Sequence, residues 1–461
     1  MNTAVNSLLI SRGYDININA YDIINTCDDW YRSISTDQHK RQTISGEHYE
    51  LQRMNFAKRV CADDANLCEV IEIANGNNVQ NDFINKILED NKFDTQYRKQ
   101  LELTSAEGLT ACYVRIENAD IMTNGTLQGG EIKLNYIEAS GFIPLTIVND
   151  DIIEAAFVGE TFKNTKKETT LVLCTIKNGI YQYETHIYDE NNVEITPPNN
   201  IIVLGEVKPF SIMRTAEVNA LIDMQGFGYP KIWSSIPYLL ALDGAFTALF
   251  GDIDTSEKIV LINEFLCGFD EVGKPIPPNA QMKRRFVSIG EKLPQDGSLV
   301  HEIVPEIRVE KFENVIELLL SLLSMQFGYG TKKYSFDGAQ ITTATEYIGE
   351  RQDQMQELNK QRYQAKQYID GIVKAVLWFG NVFHKSNWDL NAETLISFDD
   401  SYIEDKTSQL ESMRNDVLSG IGGISLKIKY LAQKYMIDEK EAIKWANDEI
   451  QIEDTNNEDS E

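Results

Sequence analysis

The stretch that most limits what this chain can become runs from about 308 to 380. Its first part crowds Phe312, Val315, Ile316, Leu318, Leu319, Leu320, Leu322 and Leu323 into a few helical turns. A surface helix shows one apolar stripe, so this one needs cover on at least two faces. After Met325 the segment QFGYGTKKYSFDGAQIT interrupts the pattern with Gly328, Gly330 and Gly338. A second helix then opens on a capping box, Thr343-x-x-Glu346. It carries Ala344, Ile348, Met355, Leu358, Ala365, Ile369, Ile372, Val373 and Val376 at three- and four-residue steps. Continued to Gly380, it would be roughly 57 Å long at 1.5 Å per residue. A small monomer has no use for such a rod.

The rest of the chain supplies what surrounds it. Residues 15–35 read as a short helix bearing Tyr21, Ile24, Trp30 and Tyr31. A longer amphipathic helix is expected from Glu50 through Leu51, Met54, Ala57, Val60, Ala65, Leu67 and Ile71, ending at Asn75-Gly76, a natural left-handed cap. Asn81 and Asp82 open a shorter helix, and another covers about 94–106 before Gly108. The period then changes. LTACYVRIE, GEIKLNYIEA, TTLVLCTIK and YQYETHIYD alternate or are rich in β-branched residues, with hairpin pairs at Asn124-Gly125 and Asn178-Gly179. An antiparallel sheet is therefore expected over 109–204. Beyond a turn-rich connection, a helix capped by Ser234 or Ser235, with Pro237 near its first turn, leads into three short strands, KIVLINEFL, MKRRFVSIG and LVHEIVPEI. Two helices bracketing a small β excursion make a stalk with a head. A strand and short helices close the chain, and 448–461 carries seven acidic residues and no basic one.

The balance of 43 basic against 71 acidic residues, a net charge of −28, argues against a groove that wraps nucleic acid, because such binding needs neutralised phosphates. It is compatible with a passage through which DNA slides without being held. Cys27, Cys61, Cys68, Cys112, Cys174 and Cys267 form no CxxC and have no histidine at zinc-site spacing, so they read as buried free thiols in a reducing compartment. The first residues lack the charge pattern of a signal peptide. The longest apolar runs, near LLLSLLSM, fall short of the ~20 residues a membrane span requires. A soluble chain made inside the cell is expected.

Few residues suggest chemistry. Asp399, Asp400 and Glu404 lie at a strand-to-helix transition, where carboxylates cap exposed amides more readily than they bind metal. Asp252, Asp254 and Glu257 do not continue to the twelfth-position glutamate of a calcium loop. His301-Glu302 belongs to no HExxH, Ser425 to no nucleophile elbow, and no phosphate-binding G-x-x-x-x-G-K-[ST] is present. No catalytic group, metal site or cofactor is expected. Two basic spots stand out. Lys283, Arg284 and Arg285 in the small head either protect an edge strand or contact an acidic partner or DNA phosphate. Lys332 and Lys333, in the glycine-bounded loop beside Tyr329 and Tyr334, are either solvated or touch phosphate as mobile point charges.

Four stretches resemble portal proteins of tailed bacteriophages, of the type found in phages and prophages of Gram-positive hosts. They are LQRMNFAKRVCADDANLCEVIEIANG at 51–76, NALIDMQGF at 219–227, SLLSMQFGYGTKKYSFDGAQITTATEYI at 321–348 and ISFDDSYIEDKTSQLESM at 396–413. The resemblance implies an α+β portal plan. A helical and β-sheet wing part would occupy 1–233, stem helices 234–255 and 306–325, the clip 256–305 and the tunnel loop 326–342. The long helix and more wing would occupy 343–399, a crown-like helical region 400–447 and an acidic tail 448–461. It implies a homo-oligomeric ring, typically dodecameric, at one capsid vertex of a virion assembled in the bacterial cytoplasm. Its partners would be the terminase large subunit, capsid and scaffolding proteins, a head-completion protein and transient double-stranded DNA, with no membrane. Tyr329, Lys332, Lys333 and Tyr334 would then face the channel, and Lys283, Arg284 and Arg285 the docking partners. Leu239, Phe246, Phe312, Ile316, Leu319 and Leu323 would pack the stem. A non-portal adaptor ring and an enzyme with a lid at 326–342 are the alternatives. A ring needs two different complementary faces on each subunit.

Overall fold

The computed structural model describes residues 3–43, 46–121, 127–163, 166–197, 200–256, 306, 308–331, 333–334, 344–398, 413–419, 423–435 and 442–446. Within the β excursion it describes 259–262, 268–269, 271–272, 275–276, 286–288 and 300–303. The class is α+β, with helices and mainly antiparallel sheets in separate stretches of chain. The chain divides into two units, Met1–Cys68 with Ile73–Leu395, and Glu69–Glu72 with Ile396–Glu461.

The first unit begins with α1 (Thr3–Ser11) and α2 (Ile18–Tyr31), the latter capped by Asn17, whose side chain accepts from the Asn19 amide at 3.1 Å. The helix expected from Glu50 to Asn75 is shorter. His48–Glu50 pairs as a strand with Lys40–Gln42, α3 spans only Phe56–Asn66, and Val70–Asn75 is extended. Asn55, at φ +57°, sets the helix start, and the β-branched residues of Val70-Ile71-Glu72-Ile73 favour a strand although their spacing continues the helical period. α4 (Asn78–Asp90) starts earlier than expected, because Asn77 rather than Asn81 accepts from the Gln80 amide at 3.0 Å. α5 (Phe93–Glu107) stops at Gly108, as expected. Gly108 has φ +90° and presses on the backbone of Gly228; a side chain at either position would overlap the other's carbonyl.

In place of the one sheet expected over 109–204 there are two larger ones, both antiparallel. Five strands run in the order Ile201–Val203, Ile180–Tyr188, Lys166–Lys177, Asp151–Lys163, Phe142–Val148. Three run Phe210–Arg214, Leu109–Glu117, Glu131–Glu138. Asn178 and Gly179 both have positive φ, as a two-residue hairpin loop of the expected kind requires; Asn124-Gly125 lies outside the described residues. Aromatic side chains join the sheets. Tyr113 stacks on Phe157 at 4.6 Å, Phe157 meets Phe210 at 5.4 Å, and the Tyr183 hydroxyl donates to Val114 O at 2.9 Å.

α6 (Lys231–Thr255) and α7 (Val309–Gln326) form a hairpin around the β excursion. There Ile259–Ile262 runs parallel to Phe286–Ser288 and antiparallel to Val300–Ile303. α6 begins three residues before Ser234, behind Pro230, so Pro237 stands inside it rather than in its first turn. α8 (Ala344–Phe383) has 40 residues, as long as its periodicity predicts. From Leu358 onward it enters the core, and Ile372, Val373, Ala375, Val376, Leu377 and Phe379 are at most 1% exposed. Buried on most sides, with Lys366, Gln367 and Lys374 left on one exposed edge, this half of the rod is a central helix. Fully buried Tyr368 donates to Gln100 of α5.

The second unit holds helical residues 413–418, a helix at Gly423–Tyr435 and a further turn at 442–446. Tyr435 packs on Trp445 with centroids 5.3 Å apart, and Ala442 and Ala446 are buried.

Candidate functional site

The α6–α7 hairpin and the chain leaving α7 make the candidate site. Leu239, Ile316 and Leu323 are buried, while Phe246, Phe312 and Leu319 are half-buried. Phe246 meets Phe250 edge-on at 4.8 Å, and the Arg308 guanidinium lies 5.6 Å from the Phe312 ring. The hairpin is closed where the excursion leaves it. Asp252 of α6 accepts from the Arg308 backbone amide at 2.9 Å and from its guanidinium at 2.5 and 3.2 Å. The Arg308 contact lowers the Asp252 pKa, so the first acid of the calcium-like triplet is an ion-pair partner. Along its length the hairpin leaves several large apolar side chains exposed. Phe250, Ile253, Val309, Val315, Leu318 and Met325 are all at least 43% exposed.

α6 is also long and apolar enough to cross a bilayer, which the apolar runs of the sequence did not indicate because its polar residues interrupt them. Those polar residues are engaged within the fold. Lys231 and Asp252 make ion pairs, and Asp243 accepts from the Met54 amide at 2.8 Å beside His39 at 3.4 Å. A bilayer position would break all three contacts and strand charge in hydrocarbon.

At its first residue, α6 buries a lysine among carboxylates. Lys231 is 2% exposed and donates to Asp64 Oδ1 of α3 at 3.0 Å and Glu357 Oε1 of α8 at 2.9 Å. Gln361 donates to the same Asp64 oxygen at 2.7 Å, and the Tyr329 hydroxyl does so at 2.9 Å. Burial alone would lower the Lys231 pKa. Asp64, Glu357 and Glu217 reverse it, so the lysine is held charged well above its ordinary range. Burial pushes Glu357 up, but Lys231 more than offsets that and brings it below its ordinary value. Burial and then Asp64 raise Tyr329, keeping its hydroxyl a donor.

The expected tunnel loop starts on this cluster. Tyr329 is 5% exposed and buried in the chain's own interior, and Tyr334 donates to Asp63 Oδ2 at 3.1 Å. Both therefore anchor the start of the loop on residues of the chain itself. Burial lowers the Lys333 pKa; its ammonium sits 5.9 Å from the Tyr329 ring and near Asp63. Lys332, Lys283, Arg284 and Arg285 lie outside the described residues, as do Asp399, Asp400, Glu404, Glu257 and Cys267. Cys27, Cys61, Cys68, Cys112 and Cys174 are buried free thiols. Among the described residues no group of three or more His, Cys, Asp or Glu is placed to hold a metal. Sequence reasoning missed Lys231, Asp64 and Glu357. Lys231 looks like a surface cation at a helix start, and its partners lie 167 and 126 residues away.

Neither a protein-family model nor a curated protein matches the chain. Among solved structures it is similar to a chain in the virion of a native gene transfer agent particle, at 10% identity and a TM-score of 0.42, covering 79% of this chain and 85% of that one. It is also similar to a chain in the neck of a native gene transfer agent particle computed with C12 symmetry, at 8% identity and a TM-score of 0.37, covering 80% and 90%. Both likenesses are distant.

Proposed function

We propose that this chain is a portal-type subunit, one copy of a closed ring set at a capsid vertex, through which double-stranded DNA is packaged and later leaves. The observation that carries the proposal is the α6–α7 hairpin, which bears a small β excursion at its tip and exposes Phe250, Ile253, Val309, Val315, Leu318 and Met325 along its sides. Such a run of apolar side chains is unfavourable on a monomer. A ring covers it, because each subunit's exposed face meets a different face of its neighbour. A net charge of −28 suits a wall that DNA passes without adhering.

In this proposal 234–255 and 306–325 are stem, 256–305 the clip that meets terminase and the head-completion protein, and 326–342 the tunnel loop. Lys283, Arg284 and Arg285 serve the clip, and Lys332 and Lys333 touch passing phosphate. The remaining ranges are wing, crown-like region and acidic tail, the ring is dodecameric, and it assembles with capsid and scaffolding proteins in the bacterial cytoplasm. Tyr329 and Tyr334, bound to Asp64 and Asp63, hold the loop's first residues in place at the channel.

Light scattering and electron microscopy of the purified full chain test the reading. A ring with an axial opening wide enough for duplex DNA is expected. A monomer would overturn it, and a ring without an opening would favour a structural adaptor.

A further inference from the structure

A cleft of about 400 Å³ lies in the first unit between the Phe210–Arg214 strand, the residues leading into it, and α8. Polar groups line it from both sides. Lys208, Ser211 and Arg214 come from the strand side, Gln364, Gln367 and Lys374 from the helix, and the carboxylate of Asp151 also lines the cleft beside Lys208. Three cations around one cavity are notable in a chain of net charge −28. Each has a carboxylate neighbour, Asp151 for Lys208 at 3.1 Å, Asp150 for Arg214 at 3.2 Å and Asp370 for Lys374 at 2.7 Å. These pairs are unequal. The Arg214 side chain is only 20% exposed, whereas Asp150 is 78% exposed and takes a single hydrogen bond from it. Asp151 is likewise 66% exposed. A guanidinium offers five donors in a fixed fork, so one monodentate contact to a solvated aspartate leaves most of its capacity unused. Burial accordingly lowers the Arg214 pKa despite Asp150 and Asp151. The ring of Phe210, 4.8 Å from the Lys208 ammonium, supplies an apolar wall.

We propose that this cleft binds a compact oxyanion of the phosphate class, with Arg214 as its anchor, Lys208 and Lys374 on either side, and the Ser211 hydroxyl and glutamine amides as further donors. More donors face the cavity than one carboxylate, with two oxygens, can use, and a tetrahedral anion accepts in more directions. The volume is in the range of small-ligand sites and leaves room for a group attached to the phosphate. The exposed Asp150 and Asp151 can turn to solvent when the anion enters, because the anion takes their place beside Arg214 and Lys208, while Lys374 keeps Asp370. This site is independent of the proposed function.

The test is calorimetric titration of inorganic phosphate into the full-length wild type, Arg214→Gln and Lys374→Gln, with chloride matching the ionic strength. Saturable binding by the wild type is expected, weakened at least ~10-fold in both variants. Lys374 is half exposed, so its variant decides the matter if Arg214→Gln does not fold. Heat no greater than the chloride control, or equal binding by the folded variants, overturns the proposal. A parallel titration uses a peptide with the sequence of residues 448–461. Tighter binding of that acidic peptide than of phosphate, lost in the variants, would overturn the small-oxyanion site in favour of protein docking.

Discussion

Glu107, the last residue of α5, is 1% exposed and accepts from the Ala139 amide at 2.9 Å. Burial is the main cause that raises its pKa from 4.5 to about 8, with Asp28 and Glu138 adding to it. The sign follows from linkage: stability from the neutral carboxyl is full below the unfolded value of about 4.5 and is lost as pH rises through about 8. Glu107→Gln should flatten the fall in urea midpoint between pH 5 and pH 8.5, since each tenfold change in proton affinity on folding is worth about 1.4 kcal/mol. An unchanged slope would place the titration elsewhere. Lys231→Met leaves Asp64 and Glu357 buried without their cation and should cost about 3–5 kcal/mol in denaturant unfolding. Neither role was legible from local sequence. Glu107 reads as a helix-end acid and Lys231 as a helix-start base, and both are decided by which residues the fold brings over them.

Among the elements, α8 could be read from the sequence because its three- and four-residue apolar steps persist over many turns, which leaves no competing period. α6 and α7 were legible for the same reason, together with the short strands between them. The 50–76 region misled because Leu67 and Ile71 continue the period of α3, while Val70–Asn75 follows its β-branched composition into a strand. Two predictions concern elements. Leu318, 60% exposed on α7, touches too little of its own chain to matter to the monomer fold. Leu318→Asp should therefore leave the circular dichroism spectrum intact while shifting the light-scattering mass from ring to subunit; a retained ring would move the interface elsewhere. Tyr329→Phe removes one donor to buried Asp64 and should cost about 1–3 kcal/mol. Hydrogen exchange should quicken over 327–334, and equal protection would deny the tyrosine its anchoring role.

For the whole molecule, the proposed ring gives every loop at 326–342 as many copies as there are subunits, so weak contacts from Lys332 and Lys333 would act together. Replacing both with Ala should leave ring mass unchanged and reduce the DNA packaged per particle; unchanged packaging would remove their role. The subunit faces that would close such a ring were only half legible, since periodicity shows how much apolar surface a helix has but not which part its own chain leaves bare. The pairing of Asp252 with Arg308 has a consequence of another kind. By holding the two ends of the excursion together, it fixes the gap that the roughly fifty-residue insert spans, and closing a loop across a fixed gap depends only weakly on loop length. A tip lengthened, shortened or replaced should therefore leave the hairpin beneath it undisturbed, so in the proposed ring the docking end would be free to diversify while the α6–α7 framework stays constant.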